Sequence, residues 1–383
     1  MNFISKLGGA AVLTAALAGQ AFAADVTIRI GHLNPDDPLQ SHSGTMTAVF
    51  KSLVESASNG AIEVQIFPNG QLGKDNEVID QVAAGIVESS ISSAGGVAQH
   101  YPLVGVFDIP FAFPNIGVAS RVIDMDSSFG KAFTDDLHAK TGMKVLGLLD
   151  SGGFFQFTDS KKPIESVADM DGLRIRTMTL PTHEAIVSSL GGNPTPLPWA
   201  EAYTALQTGV ADGQMNPITV IASANLFEVQ DYLSITNHVI TPYVWLMNDE
   251  FFHGLSPEHQ NIVSWASEVA TDAGRGMSRV IESSDRGLPF LMGKMEVNVI
   301  SAEEQAKFAA AAAPFVMRAD SFNLIAIFGI CCVLGFVTHR LARISPIRKM
   351  VPHWESWERT RDFPMGYPLA GTLVIYLVMA LIY

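Results

Sequence analysis

The sequence predicts an α/β fold with two compact lobes, followed by a tail of different character. The chain has 383 residues, 48% of them hydrophobic, and this is enough to build more than one hydrophobic core. Segments with the two-residue alternation of strands are followed by helical segments along most of the chain, an order typical of a largely parallel sheet. After residue 316, two nearly uncharged apolar runs replace this alternation.

The first α/β unit is predicted from alternating segments near the start of the chain. We predict a strand at residues 26–32, a helix at 38–58, a strand at 61–67 and a helix at 76–85. Glycine-containing turns separate these segments. The strand–helix order favours parallel pairing of the two strands.

A second unit begins near Lys144. Strands are predicted at residues 145–149, 154–158, 173–177, 243–247 and 296–300. Helices are predicted at 164–170, 181–190, 201–208, 220–230, from 257 to about 291, and from 301 onward. Ser301 and Glu304 form the capping-box pattern that starts the last of these helices.

Residues 1–23 have the pattern of a secretory signal peptide. Lys6 supplies the positive charge, an apolar stretch follows, and Ala21-Phe22-Ala23 fits the small-x-small cleavage rule. We therefore expect cleavage after Ala23 and an exported mature chain. The residue directly after the cleavage site is Ala24 and not a cysteine, which argues against a lipid anchor.

Charge and cysteine usage exclude several classes of protein. The net charge is -14, which argues against a nucleic-acid partner because phosphate binding requires clustered Lys and Arg. Cys331 and Cys332 are adjacent within an apolar stretch, so neither a disulfide framework nor a metal site is expected. The sequence contains no nucleophile elbow, phosphate-binding loop, HExxH or CxxC. We therefore expect no enzymatic activity, no cofactor and no metal.

The tail, residues 317–383, is predicted to enter a membrane. Its two apolar runs, 322–338 and 367–383, each contain about 17 residues, the lower limit for crossing a hydrocarbon core of about 30 Å. Between them lie the basic residues Arg340, Arg343, Arg348, Lys349, Arg359 and Arg361. The positive-inside rule places this loop in the cytoplasm, so the first span would run inward and the second would return.

Four motifs, in order along the chain, resemble one known family. They are Phe67-Pro-Asn-Gly-Gln-Leu-Gly73, Asp108-Ile-Pro-Phe-Ala-Phe113, Asp169-Met-Asp-Gly-Leu-Arg-Ile-Arg176, and Pro194-Thr-Pro-Leu-Pro-Trp-Ala-Glu-Ala-Tyr-Thr-Ala-Leu-Gln-Thr-Gly-Val-Ala-Asp-Gly-Gln-Met-Asn216. From about residue 26 to 316, the sequence resembles the substrate-binding subunit of tripartite ATP-independent periplasmic (TRAP) transporters, of the dicarboxylate-binding type.

The resemblance implies a two-lobed periplasmic-binding-protein fold with the ligand in a cleft between the lobes. Lobe one is expected to comprise residues 24–153 and 242–281, and lobe two residues 154–241 and 282–316. The long helix from residue 257 would run across both lobes. The tail does not match this family, and its origin stays open between a fused membrane segment and a shifted reading frame.

The resemblance also assigns a ligand-binding arginine. In the family, the second Arg of the motif that ends in Arg176 pairs with a ligand carboxylate, and a planar guanidinium can give such a group two parallel hydrogen bonds. The alternative is a surface Arg that covers a strand end. Arg174 is expected to face away, because neighbouring strand residues point to opposite sides.

Asn216 and Trp199 are further candidate binding residues. Asn216 closes the family motif Asp-Gly-Gln-x-Asn, and its amide can donate to a carboxylate or accept from a ligand hydroxyl. Trp199 lies where family members often carry an aromatic side chain against the ligand. The alternatives are a turn residue before Pro217 and a buried core Trp.

Three more candidates depend on alignment or strand position. Gln156 occupies the position where sialic-acid-binding relatives carry a second Arg, and this difference favours a monocarboxylate, with apolar or aromatic character suggested by neighbouring phenylalanines. Ser93 follows a predicted strand end, and Trp245 lies on the predicted strand 243–247. Both are as well explained as ordinary strand residues.

The predicted function is capture of a small organic acid outside the inner membrane. By resemblance, the partners are the acid and the membrane subunits of a TRAP transporter, and the tail would tether the periplasmic binding domain to the inner membrane. The alternative is a membrane-tethered sensor with the same binding lobes. A sensor would need an output domain after the second span, where the sequence ends at Tyr383.

Overall fold

The computed structural model describes residues 24–316, and its strands lie in two separate sheets. In chain order the strands are β1 (Val26–His32), β2 (Ile62–Phe67), β3 (Ser89–Ser93), β4 (Met143–Asp150), β5 (Phe155–Asp159), β6 (Arg174–Thr177), β7 (Asn193–Pro196), β8 (Gly213–Pro217), β9 (Tyr232–Ile235), β10 (Pro242–Asn248) and β11 (Glu296–Val299).

Helices cover the faces of both sheets. They are α1 (His42–Ala57), α2 (Asp75–Ala83), α3 (Ala94–Val97), α4 (Ile116–Ile123), α5 (Ser128–Thr141), α6 (Pro181–Ser189), α7 (Trp199–Gln207), α8 (Ile218–Ser223), α9 (Asp249–Gly254), α10 (Pro257–Ser283), α11 (Leu288–Met292) and α12 (Ala302–Val316). Hydroxyl caps start several of them: Ser41 accepts from the backbone N–H of Gly44 at 2.9 Å, and Ser301 accepts from that of Glu304 at 3.1 Å.

The first sheet has the strand order β2–β1–β3–β10–β4. Strand β1 runs parallel to β2 and β3, as the strand–helix alternation predicts. Strand β10 runs antiparallel to both of its neighbours. The sheet is therefore mixed and not largely parallel, because β10 enters it from the opposite end after the chain has passed through the second sheet.

The second sheet has the order β11–β9–β5–β8–β6–β7 and is also mixed. Strand β6 is parallel to β7 and β8, whereas β5 is antiparallel to β8 and β9. Edge strand β7 was not predicted, because Pro194 and Pro196 lower the strand propensity of its sequence. Prolines are compatible with this position because an edge strand leaves one row of backbone groups unpaired.

Each sheet is packed between apolar layers. One face of the first sheet packs on a cluster that includes Phe107, Phe133 and Leu148, and the other on a cluster that includes Phe50 and Trp245. The second sheet likewise has two clusters, one containing Phe155 and Phe157 and the other Leu206 and Leu233. Two sheets with their own cores form a two-lobed α/β fold.

The chain passes between the sheets after β4 and returns at β10. Helix α10 packs on α1 and β4 in the first lobe and on α8, which follows a strand of the second. The distribution of strands is compatible with the predicted division at residues 153/154 and 241/242, but the boundaries themselves remain a prediction.

Two predicted helices are shorter than expected. The helix predicted to about residue 291 ends at Ser283, and α11 starts separately at Leu288. A Cβ at Gly287 would lie 2.2 Å from the carbonyl oxygen of Ile281, so this tight break requires glycine. The helix predicted at 220–230 stops at Ser223, because Asn225 adopts a left-handed conformation with φ 53°.

The predicted signal peptide (1–23) and the tail with its two apolar runs (322–338 and 367–383) lie outside the described residues. Within residues 24–316, none of the helices combines the length and apolar character needed to cross a membrane.

Candidate ligand-binding site

A cavity of about 210 Å³ lies between the two lobes. Its first wall comes from lobe one, at the start of α2, the end of β3 and the start of β10. The second wall comes from lobe two, at the ends of β6 and β8 and the start of α7. Side chains from strand ends and helix starts therefore converge on one space between the lobes, the usual location of a ligand site in an α/β protein.

Arg176 contributes the positive charge of this cavity. It lies on β6 and is only 1% exposed. Its Nε and Nη2 atoms both donate to the carbonyl oxygen of Leu197, at 3.1 and 2.6 Å. These bonds use one edge of the guanidinium, so the other edge, formed by Nη1 and Nη2, is left for a carboxylate. The Cζ atom lies 5.7 Å from the ring centroid of Trp199, a cation–π arrangement.

The charge on Arg176 lacks an ionic partner within the described part of the chain. Among residues 24–316, no carboxylate oxygen lies within 4.0 Å of its guanidinium nitrogens. Burial lowers the pKa of Arg176 to about 10, although Tyr243 and Asp75 oppose this shift. Arg176 is still protonated at neutral pH, so the fold maintains a buried cation that an incoming anion would stabilise.

Asp75 and Ser93 form the acidic part of the opposite wall. The Ser93 hydroxyl donates to Oδ2 of Asp75, and the backbone N–H of Ser93 lies 3.3 Å from the same oxygen. Burial raises the pKa of Asp75 to about 6, while the bonds from Ser93 and the charge of Arg176 act in the opposite direction. The carboxyl group therefore titrates close to physiological pH.

Tyr243 extends this wall beside Ser93, its register partner on β3. Its hydroxyl accepts a hydrogen bond from Nδ2 of Asn34 at 3.4 Å, and its ring makes an edge contact with His42 at 4.7 Å. Burial and the nearby Asp75 raise the pKa of Tyr243, so the hydroxyl keeps its proton and can donate to a ligand.

Asn216 lies on β8 in the wall that holds Arg176. It is 7% exposed, and its Nδ2 donates to Oε1 of Gln214 at 2.6 Å. Gln214 is the register partner of Arg176, and Asn216 follows it by two residues, on the same face of the sheet. The amide and the guanidinium therefore face the cavity together.

Four of the predicted site residues, Arg176, Asn216, Trp199 and Ser93, line this single cavity. Their contact with a ligand remains a prediction. Asp75 and Tyr243 were missed. Asp75 starts α2 just after the motif that ends at Gly73, and a carboxylate at a helix start between two motifs was the available signal.

Gln156 does not line the cavity, contrary to our expectation. Its Nε2 donates to the carbonyl of Phe154 and to Oδ1 of Asn237, and its Oε1 accepts from the backbone N–H groups of Thr236 and Asn237 at 2.8 and 2.9 Å. All four bonds hold a turn of lobe two. Both the nitrogen and the oxygen of the Gln156 amide are therefore bonded within lobe two.

Trp245 also lies away from the cavity. It is fully buried, its Nε1 donates to the hydroxyl of Ser89 at 2.8 Å, and its ring packs edge-on against Phe50 at 4.9 Å. Trp245 shares a face of β10 with Tyr243 but lies two residues further along, about 7 Å deeper into lobe one. On β10 the cavity is lined by Tyr243 and not by Trp245, the residue that we predicted.

The charged groups that line the cavity bear on the kind of ligand it can hold. Among residues 24–316, no group of three or more His, Cys, Asp and Glu side chains is arranged to hold an ion. The charged groups at the cavity are instead Arg176, Asp75 and, toward the opening, Lys74 and Glu77. This set of groups can bind an organic anion that also carries hydrogen-bonding groups.

Known proteins with the same architecture bind organic acids. The chain is 35% identical, over 267 residues, to the 2,3-diketo-L-gulonate-binding periplasmic protein of Escherichia coli, covering 68% of this chain and 76% of that protein. It is similar to the sugar acid-binding protein of Advenella mimigardefordensis in complex with galactonate, with a TM-score of 0.72, 34% identity, and coverage of 76% and 92%.

A TRAP periplasmic solute-binding protein from Polaromonas, bound to D-erythronate, is also similar, with a TM-score of 0.71, 32% identity, and coverage of 77% and 95%. Residues 32–321 match the DctP family of bacterial extracellular solute-binding proteins, family 7. From this match and these identities, the chain belongs to the family 7 bacterial extracellular solute-binding proteins.

Proposed function

We propose that this protein captures a small organic acid in the cleft and delivers it to the membrane subunits of a TRAP transporter. The main supporting observation is the buried guanidinium of Arg176, which has one free hydrogen-bonding edge directed to the cavity and no carboxylate of residues 24–316 within 4.0 Å. A ligand carboxylate would supply the missing negative charge.

The ligand is proposed to be a monocarboxylate that carries hydroxyl groups. One buried cation matches one carboxylate, while Asp75 on the opposite wall disfavours a second one. Asp75, Asn216 and Tyr243 offer hydrogen-bonding groups to hydroxyls. The cavity of about 210 Å³ is below the roughly 300–1,000 Å³ typical of sites for drug-sized ligands. The diketogulonate, galactonate and erythronate of the similar proteins are acids of this class.

A ligand screen tests this function directly. The purified full-length chain would be heated in the presence of sugar acids, short hydroxy acids, dicarboxylates and aromatic acids, and unfolding would be followed by fluorescence. At a concentration of 100 times the dissociation constant, a bound ligand stabilises the fold by about 2.7 kcal/mol. We expect a rise in melting temperature with at least one hydroxy monocarboxylate, and no rise with any acid would contradict the proposal.

The tail is proposed to anchor the exported binding domain to the inner membrane. The support comes from its sequence: two apolar runs of about 17 residues, separated by a basic loop. Washing membranes with alkaline carbonate should leave the intact chain in the pellet, whereas a marker periplasmic protein is released. Release of the intact chain would show that the apolar runs do not span the bilayer.

A further inference from the structure

We propose that Gln230, Thr158 and Gln214 are positioning residues that fix the amide of Asn216 with its oxygen toward the cleft. Together they make the site selective for an acid that carries a hydroxyl group next to its carboxylate. This inference rests on the proposed function, which places the carboxylate on Arg176.

The orientation is set at Gln230. Its Nε2 donates to two backbone carbonyl oxygens, those of Val229 at 2.8 Å and Asp212 at 3.2 Å. Carbonyl oxygens only accept hydrogen bonds, so the NH₂ group must face them. The Oε1 atom of Gln230 therefore points the other way, toward Thr158.

The orientation of Gln230 fixes which group donates and which accepts in the hydrogen bonds that lead from it to Asn216. The Thr158 hydroxyl donates its single hydrogen to Oε1 of Gln230 at 2.8 Å, and it accepts from Nε2 of Gln214 at 2.9 Å. Gln214 is left with Oε1 as an acceptor, which receives Nδ2 of Asn216 at 2.6 Å. The hydrogen bonds that link these four side chains therefore all run in one donor-to-acceptor direction, from Asn216 on β8 to Gln230 just before β9.

Burial makes it costly to exchange the donor and acceptor roles in these hydrogen bonds. Thr158, Gln214 and Gln230 are each at most 1% exposed, so bulk water cannot replace a lost bond. Turning the Asn216 amide would place its oxygen against Oε1 of Gln214. Relieving that contact would require Gln214 to turn as well, and the single hydrogen of the Thr158 hydroxyl would then go to Gln214. The buried Oε1 of Gln230 would lose its donor, or Gln230 would have to direct an oxygen at two carbonyls.

Asn216 therefore presents Oδ1, an acceptor, to the cleft. Within residues 24–316 no donor is bonded to this oxygen. Asn216 lies two residues beyond the register partner of Arg176, about 7 Å along the strand. A hydroxyl close to the bound carboxylate can reach this acceptor, whereas a ligand without such a hydroxyl leaves it without a donor. A second carboxylate placed against Oδ1 would meet an oxygen and be repelled.

Thr158→Val tests the positioning role, because it removes the hydroxyl and preserves the shape of the side chain. Titration calorimetry on the full-length chain would use matched pairs: galactonate and 2-deoxygalactonate, lactate and propionate, and 2-hydroxybutyrate and butyrate. We expect wild type to favour the hydroxylated member of a binding pair by at least about tenfold. Thr158→Val should reduce this preference to within about threefold and leave affinity for the deoxy member almost unchanged.

Thr158→Ser is the matched control, since it retains the hydroxyl and should keep the wild-type preference. A further variant covers the case in which Thr158→Val does not fold. Asn216→Leu removes the acceptor and should lose the preference for the hydroxylated acid.

The outcomes separate this inference from the proposed function. If wild type binds carboxylates but shows no preference for the hydroxylated member, or if Thr158→Val and Asn216→Leu both retain the preference, the inference is wrong and the function stands. If no acid in the panel binds to wild type, the proposed function fails and the inference fails with it.

Discussion

The two walls of the cleft differ in how firmly their polar groups are held. In lobe two, Arg176 is anchored on the carbonyl of Leu197, and Asn216 ends a buried chain of oriented side chains. In lobe one, Asp75 is held mainly by Ser93, and its pKa of about 6 places it near a change of charge. Lobe two thus offers a fixed cation and a fixed acceptor, whereas lobe one offers a group whose charge depends on pH.

This difference predicts that the largest loss of binding comes from lobe two. Replacing Arg176 with Ala removes the buried cation from the cavity. Removing one partner of such a pair typically costs about 2–5 kcal/mol, or about 30-fold to several thousand-fold in affinity. Arg176→Lys should also bind weakly, because an ammonium group cannot reproduce the two-point contact.

Arg174→Ala is the matched control for this measurement. Arg174 lies on the same strand, but it is exposed and paired with Asp212. Titration calorimetry should find its ligand affinity within about threefold of wild type, a difference of about 0.65 kcal/mol. An Arg176→Ala variant that binds as well as Arg174→Ala would show that another group holds the carboxylate.

The second prediction concerns Asp75 of lobe one, whose charge depends on pH. An ionised Asp75 repels a bound carboxylate and partly neutralises Arg176, whereas its protonated form does neither. With a pKa of about 6, ligand affinity should rise as pH falls from 7.5 to 5.5, severalfold and at most about tenfold. Asp75→Asn should bind with the same affinity across this range, and parallel pH profiles for the variant and wild type would refute the role of Asp75.

The contribution of Asp75 to the stability of the ligand-free protein should also become more favourable as pH falls. The folded state raises the pKa of Asp75, so this group binds its proton more tightly in the fold than in the unfolded chain. Its carboxylate therefore destabilises the fold above about pH 6, and this cost disappears as pH falls toward the ordinary aspartate pKa. Asp75→Asn should remove this contribution from urea unfolding measured at several pH values.

The smallest effect is expected where the two walls meet at the surface. Nζ of Lys74 in lobe one lies 2.7 Å from Oε1 of Glu201 in lobe two, and both side chains are exposed. Exposed ion pairs contribute little and are screened by salt. Glu201→Gln should weaken ligand binding by at most about threefold, and less at high ionic strength. A loss as large as that of Arg176→Ala would overturn the view that lobe two interior groups dominate.

Sequence patterns predicted most strands, from alternation in β1 and β2 and from short apolar runs in strands buried on both faces, such as β4 and β10. The direction of β10 could not be read in this way, since alternation is the same in parallel and antiparallel strands. The ends of α10 and α8 depended on close backbone contacts at Gly287 and on the conformation of Asn225. These are three-dimensional constraints without a periodic signal.

The lining of the cavity was predictable where a motif fixed both residue and position, as for Arg176 and Asn216. It was less predictable where strand position alone was used. Tyr243 and Trp245 have the same parity on β10, and only the depth of the strand in lobe one separates them. Gln156 shows a further limit, since its alignment with a charged residue of relatives did not reveal that its amide is bonded within the fold.

The central position of β10 has a consequence for the order in which the protein folds. Strands β1 to β4 end at Asp150, yet β10, which pairs with both β3 and β4, ends at Asn248. Until β10 emerges, β3 has an open edge and β4 lacks this neighbour, so the core of lobe one cannot close. Lobe one is therefore completed only after the strands β5 to β9 of lobe two have been synthesised, and the first half of the chain cannot form a compact lobe by itself.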